Sequence, residues 1–137
     1  MESQQLMVTA DTHVIIWEAL DPKQLSKKAQ NQFRKANESD GIIFCDISLW
    51  EISMLISKNR LEIEASFIEF IDLLSKTRNY VFQRINPQIA DISNGMLKDI
   101  NSDPADRIIA ATSIFTNSDL ITADKNLQRS KFIKTIW

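Results

Sequence analysis

Apolar residues arrive along this chain in two rhythms. Short runs without a helical period occupy residues 6–10, 42–45, 80–85, 120–122 and 132–137, each about as long as a strand. Between them, longer segments repeat their apolar positions every three or four residues. Residues 12–20 carry Val14, Ile15, Trp17 and Leu20 at helical spacing. Residues 25–38 are rich in Lys, Gln, Asn and Ala, with Leu25, Ala29 and Phe33 four apart, which predicts a surface helix with one narrow apolar stripe. Asp40-Gly41 marks a turn before the next strand. Further helices are predicted over residues 47–59 and 65–77, from Pro87 to about residue 97, and from Pro104 to about residue 116.

Strands therefore alternate with helices, and no two neighbouring strands are joined by a hairpin-length turn. Parallel pairing, right-handed crossovers and helices on both faces of a sheet follow from that order. No internal repeat or low-complexity segment interrupts it, so one α/β domain is expected over residues 1–137. Ligands of open α/β sheets bind beyond the carboxyl ends of the strands. The residues just after each strand are the ones to read for chemistry.

Composition narrows the choice. With 137 residues, 44% hydrophobic and 25% charged, the chain suffices for one core and is unlike collagen, disordered tails or disulfide scaffolds. No apolar run approaches the ~20 residues that span a bilayer, and the first residues lack a basic and apolar leader, so no membrane or secretory role is expected. Cys45, the single cysteine, lies in an apolar run and reads as a small buried hydrophobe of a cytoplasmic protein. The net charge of −2 provides no general attraction to a polyanion; contact with nucleic acid needs a local basic patch or a metal. Only two glycines, Gly41 and Gly95, are present. The glycine-rich phosphate loops of dinucleotide and nucleoside-triphosphate enzymes are therefore absent, and chemistry must rest on side chains.

Acids follow the strands too often to pass over. Asp11 follows the first, Asp46 the second with Glu51 a turn later, and Asp124 the short run at 120–122; Asp103 and Asp106 open the helix at Pro104. In a parallel sheet several of these carboxylates converge at one edge. Carboxylates within ~4–6 Å of one another raise each other's pKa, and a divalent cation removes the conflict. Oxygen-only ligation suits Mg²⁺ or Mn²⁺; a chain with one cysteine and one histidine lacks the donors that zinc prefers.

Each acid also has a purely structural reading. Ser48-Leu-Trp-Glu51 has the spacing of a capping box, Asp103-Pro-Ala-Asp106 that of an N-cap, a proline at N1 and an acid at N3, and Asp11 and Asp124 precede helical segments that they can cap. The helix dipole favours such acids by ~0.3–1 kcal/mol. For any one of them alone, capping is the commoner role. Four together at strand ends favour function. Glu51 shares its helix side with Ile47, Met54 and Leu55, where an ionised group needs a partner or a metal. Asp106 shares its side with Ile109, Ala110 and Ser113, Asp103 is the purer N-cap, and Asp46 reads as a strand-end or turn acid.

Four stretches in this order resemble the PIN domain, and within it the toxin ribonucleases of the VapC type: Asp11-Thr-His-Val-Ile-Ile-Trp17, Ser48-Leu-Trp-Glu51-Ile, Asp103-Pro-Ala-Asp106-Arg-Ile-Ile-Ala-Ala-Thr112 and Leu120-Ile-Thr-Ala-Asp124-Lys. The terminal Trp137 is similar too. The resemblance covers nearly the whole chain; its one departure is a polar extension before the first strand. It implies a three-layer α/β/α sandwich with a mostly parallel sheet, and an acidic pocket holding Mg²⁺ or Mn²⁺ that cleaves single-stranded or loop RNA. Asp11, Glu51, Asp106 and Asp124 match the family's four acids. Thr122 matches a hydroxyl position that helps orient the site, and Ser48 another. Asp11 and Asp106 are expected as direct metal ligands, with Glu51 and Asp124 acting through water or a second ion. A homodimer and a cognate antitoxin protein are implied by the same analogy.

The remaining candidates carry weaker signals. His13, the single histidine, reads as a structural or surface residue rather than a general base. Arg107 reads as a structural ion-pair partner of Asp106, Lys125 and Lys58 as candidate phosphate contacts, and the cluster Lys23, Lys27, Lys28, Arg34 and Lys35 as a solvated face. Trp17 and Trp50 are spaced as core residues, with base stacking the lesser alternative. Among rival functions, a haloacid-dehalogenase-type phosphatase needs an aspartate where His13 stands. A response-regulator receiver needs adjacent acids at the first strand end, where Thr12 follows Asp11, and a phosphoacceptor aspartate where the third strand ends near Asn86. A non-toxin RNA-processing nuclease, or a PIN-like module that only binds partners, remains the alternative within the same fold.

Overall fold

The computed structural model describes residues 7–95, 97, 100 and 103–137. Its five strands are β1 (Val8–Ala10), β2 (Ile42–Cys45), β3 (Tyr80–Gln83), β4 (Asp119–Ile121) and β5 (Thr135–Ile136). They form one sheet in the order β3-β2-β1-β4-β5, with every pairing parallel. The helices are α1 (Thr12–Leu20), α2 (Lys27–Asn37), α3 (Asp46–Ser57), α4 (Phe67–Thr77), α5 (Pro87–Asn94), α6 (Pro104–Phe115) and α7 (Lys125–Arg129), and a 3₁₀ turn at Pro22–Gln24 precedes α2.

The order of the strands explains where a ligand can sit. The chain winds outward from β1 through β2 to β3, then crosses back to lay β4 on the other side of β1. The direction of winding reverses between β1 and β4, which opens a crevice beyond their carboxyl ends. Two apolar cores flank the sheet. One gathers Val8, Ala10, Ile42, Phe44 and Ile121 with α1, α2 and α4; the other gathers Cys45 and Leu120 with α5 and α6. Alternate residues of one strand thus enter opposite cores, as the twofold period of a strand requires. Both faces are covered, so β1 and β2 are buried along their full length and read as continuous apolar runs.

Several expected boundaries move. The first strand covers Val8–Ala10, and Leu6 lies outside the described residues, as does the polar extension. The third strand stops at Gln83 rather than residue 85, the fourth is displaced one residue toward the N-terminus, and the last shrinks to Thr135–Ile136, because only those residues reach a neighbour's ladder. α5 ends at Asn94. The predicted turn at Gly41 is real and has a physical cause. Its φ is +104°, and a Cβ there would lie 2.8 Å from the backbone oxygen of Asn79. Cys45 is buried and free, and its thiol is pushed up to about 12, chiefly by burial. No helix among the described residues is long and apolar enough to cross a membrane.

Candidate active site

β1 ends at Ala10, and Asp11 immediately caps α1. Its backbone is extended, and Oδ1 accepts a hydrogen bond from the Thr12 amide at 2.7 Å. Its Oδ2 accepts a second bond, also 2.7 Å, from the hydroxyl of Thr122. Thr122 follows β4 and is fully buried, and its oxygen accepts from the amide of Asp124 at 3.0 Å. Asp124 in turn caps α7 by accepting from the Leu127 amide at 3.0 Å. One hydroxyl thus ties together the acids that follow the two strands at the winding reversal.

Glu51 reaches the same region from α3. Its Oε1 accepts from the Thr12 hydroxyl at 2.5 Å, and that hydroxyl also lies 2.7 Å from the hydroxyl of Ser48. Thr12 has a single hydroxyl proton; when it goes to Glu51, Ser48 must donate to Thr12. Asp106 stands in the first turn of α6, whose N-cap Asp103 accepts from the Ala105 amide at 2.9 Å. An open cleft of about 400 Å³ is lined by Asp11, Glu51, Asp103, Asp106 and Asp124, together with His13, Trp17 and Ala123. All four acids expected from the sequence therefore meet, and capping and convergence prove compatible: Asp11 and Asp124 do both.

The electrostatics carry the mark of that crowding. Burial raises the Asp11 carboxyl above its ordinary value, and Asp124 adds to the effect, against hydrogen bonds from Thr122 and Thr12 and the nearby His13. Burial also raises Glu51, with Asp11 and Asp103 adding repulsion and the Thr12 hydroxyl opposing it. Asp106 is pushed up to about 7, first by burial and then by repulsion from Asp11, Asp103, Asp124 and Glu51. The donor set is oxygen-only and anionic, the kind that suits a hard divalent cation. Among the described residues, however, no group of three or more His, Cys, Asp or Glu is gathered tightly enough to hold an ion by itself. Asp11, Glu51 and Asp124 are drawn toward protein donors instead. Such a set fits an ion that retains several waters and takes one or two carboxylates, which is how Mg²⁺ binds.

Other readings need correction. Ser48 does not cap α3: the helix begins at Asp46 with Cys45 at its N-cap, so Ser48 lies inside the first turn, buried, and its hydroxyl turns to Thr12. Asp46 does follow the end of β2, as a strand-end acid should, and it is the first residue of α3 rather than part of a turn. The capping box that does form is at Ser66 and Glu69, ahead of α4. Trp50 is not a core residue; it is 61% exposed, because α3 buries the opposite side through Ser48 and Ile52. The expected ion pair of Arg107 with Asp106 is not seen among the described residues, and among them the buried Nε of Arg107 has no hydrogen-bond partner. Trp17 is partly buried against a core, as expected, but it also lines the cleft. His13 is exposed on the cleft wall, and Lys58 and Lys125 are exposed at helix ends. Two contributors went unread in the sequence. Asp103 faces the cleft as well as capping, and the Thr12 hydroxyl orients Glu51. A threonine beside a strand-end aspartate was the available signal for the latter.

Comparison with known proteins agrees with the fold. Ribonuclease VapC22 of Mycobacterium tuberculosis is 27% identical over 132 residues, spanning 95% of this chain and 98% of that protein. Among solved structures, VapBC2 from Rickettsia felis bound to a promoter DNA fragment superposes with a TM-score of 0.71 at 15% identity, over 94% of this chain and 96% of that one. FitAcB from Neisseria gonorrhoeae gives 0.65 at 16% identity over 94% and 96%, and a toxin–antitoxin complex from Klebsiella pneumoniae gives 0.63 at 18% over 91% and 93%. Those structures share the α/β/α fold. The family model for the PIN domain matches residues 8–133, nearly the full length of the strands and helices described above, and the chain belongs to the PIN domain family.

Proposed function

We propose that this protein is a divalent-metal-dependent endoribonuclease that cuts single-stranded or loop RNA, and that it is the toxin of a toxin–antitoxin pair. The observation that carries the reading is the meeting of Asp11, Glu51, Asp106 and Asp124 in one cleft, where burial and then repulsion from the other acids push Asp106 up to about 7. Asp11 and Asp106 would hold the ion directly, with Glu51 and Asp124 acting through water or at a second ion. Mg²⁺ or Mn²⁺ held there would lower the pKa of a bound water and screen the phosphate charge. Thr122 keeps Asp11 oriented through Oδ2. Glu51, with Oε1 engaged by Thr12, keeps its second oxygen for a proton from the attacking water. The relative named as a ribonuclease and the structural neighbours found in toxin–antitoxin complexes support the activity and an antitoxin partner. A homodimer in the cytoplasm completes the proposal by family analogy.

The test is cleavage of single-stranded RNA by the purified chain with Mg²⁺, with Mn²⁺ and with a chelator, followed by sequencing of the new ends. Cleavage that requires the ion and disappears in Asp106→Asn is expected. Full-rate cutting under chelation, or by Asp106→Asn, overturns the assignment.

A further inference from the structure

The cleft is an odd place for a polyanion. Five of the residues lining it are carboxylates, and the described remainder are His13, Trp17 and Ala123. A cation can neutralise the acids around one phosphate. It offers nothing to the nucleobase attached beside that phosphate, which carries no charge and has two flat apolar faces. The groups on the wall suited to receive such a face are the two rings. His13 and Trp17 are four residues apart on α1, so they stack along one side of the helix. Their ring centroids are 5.6 Å apart, with planes inclined by 48°. Trp17 also packs against Trp137, centroid to centroid 6.1 Å, and against the core beneath α1. A partly buried, buttressed indole loses little freedom when a base settles on it. The exposed imidazole stands one turn nearer to Asp11, where α1 begins.

We infer that the His13–Trp17 ring pair is a nucleobase subsite, which stacks a base next to the scissile phosphate and positions the RNA against the acids. The inference rests on the ribonuclease reading above. Stacking accepts any base, so the subsite supplies affinity and register rather than a sequence code. Trp17 and His13 are positioning residues; neither touches the reacting phosphate. The cleft volume of about 400 Å³ sits at the small end of ligand pockets, enough for one nucleotide unit rather than a duplex.

The experiment is steady-state cleavage of a short single-stranded RNA with its mapped cut site, compared with RNAs made abasic on either side of that site. Wild type is compared with His13→Ala, His13→Phe, Trp17→Phe and Trp17→Leu, each checked for folding by its melting curve. One abasic position should raise KM roughly five- to a hundred-fold, the range for loss of one stacked base. His13→Ala and Trp17→Leu should raise KM for the normal RNA with a smaller effect on kcat, and should erase the penalty of the abasic RNA. The aromatic replacements His13→Phe and Trp17→Phe should restore most of the affinity. If Trp17→Leu fails to fold, the surface variant His13→Ala and the abasic RNAs still decide. The subsite is refuted if wild type cuts all the RNAs with equal KM, or if His13→Phe is as defective as His13→Ala, which would mean that the imidazole acts as a charge. If wild type shows no metal-dependent cleavage of any RNA, the ribonuclease reading itself has failed and the subsite falls with it.

Discussion

Replacing Asp106 with asparagine sets two physical effects against each other. As an acid at the third position of α6, Asp106 gains from the helix dipole, worth ~0.3–1 kcal/mol, and the neutral amide forfeits that. As the carboxylate that burial and four neighbouring acids oppose, it costs stability whenever it is ionised. Moving a carboxyl from 3.8 to about 7 corresponds to about 4 kcal/mol at full strength. Asp106 is only half-buried, so solvent screening reduces this to ~1–2 kcal/mol. The penalty that burial and repulsion place on the charged form therefore wins, and without metal the variant should be the more stable protein at pH 8, by about 2–8 °C in Tm for a domain of this size. The sign with pH follows from proton uptake. Between about pH 4 and pH 7 the folded state binds the Asp106 proton more tightly than the unfolded chain, so this group lowers stability as pH rises through that window. The gap between variant and wild type should accordingly narrow below pH 7 and nearly vanish near pH 4. Thermal melts at pH 4, 6 and 8, with a chelator and with Mn²⁺, read all of this. Mn²⁺ should raise the Tm of wild type at pH 8 and leave Asp106→Asn nearly unmoved. A variant less stable than wild type at pH 8 in chelator, with the same deficit at pH 4, would show that Asp106 is simply a helix-end acid, and the electrostatic account of the cleft would be wrong.

Thr122→Val keeps the shape of a fully buried side chain but removes the donor to Asp11 and the acceptor for the Asp124 amide; a loss of ~2–4 kcal/mol by denaturant titration is expected, with loss of RNA cleavage. Gly41→Ala should cost more than ~2 kcal/mol, because φ is +104° and the new Cβ would meet the Asn79 oxygen that accepts from Ile42 at the start of the β2–β3 ladder; a loss below ~0.5 kcal/mol in the same titration would contradict the strain. Trp50→Lys should change stability by no more than ~0.5 kcal/mol, since the side chain is mostly in water, and a drop of several kcal/mol would mean that it packs after all.

Local pattern was enough for much of this protein. The runs at Ile42–Cys45 and Leu120–Ile121, the Ala29 and Phe33 stripe of α2 (which starts at Lys27, leaving Leu25 ahead of the helix), the Asp40-Gly41 turn and the caps at Asp11 and Asp103 were legible because each depends on neighbours within a few residues. The alternation of strands with helices also announced parallel pairing, and the acids after the strands announced a carboxylate edge. Spacing alone could not say which of two local signals would prevail. Ser48 has the spacing of a cap, yet α3 starts earlier, at the end of β2, and packing turns the Ser48 hydroxyl inward to Thr12. Trp50 has core spacing, yet which side of α3 is covered depends on the elements packed against it.

Sequence by itself determined the elements, the kind of sheet and the identity of the acids, because hydrophobic period, turn chemistry and residue type are properties of short stretches of chain. Only the tertiary structure decided that Thr122, 111 residues from Asp11, donates its hydroxyl proton to it, that Thr12 holds Glu51, and that His13 and Trp17 form a wall of the same cleft. Those contacts arise from the reversal of winding between β1 and β4 and from the placement of α3 and α6 beside it. They join segments that no local rule relates, and the burial that shifts the carboxyls exists only once those segments have packed.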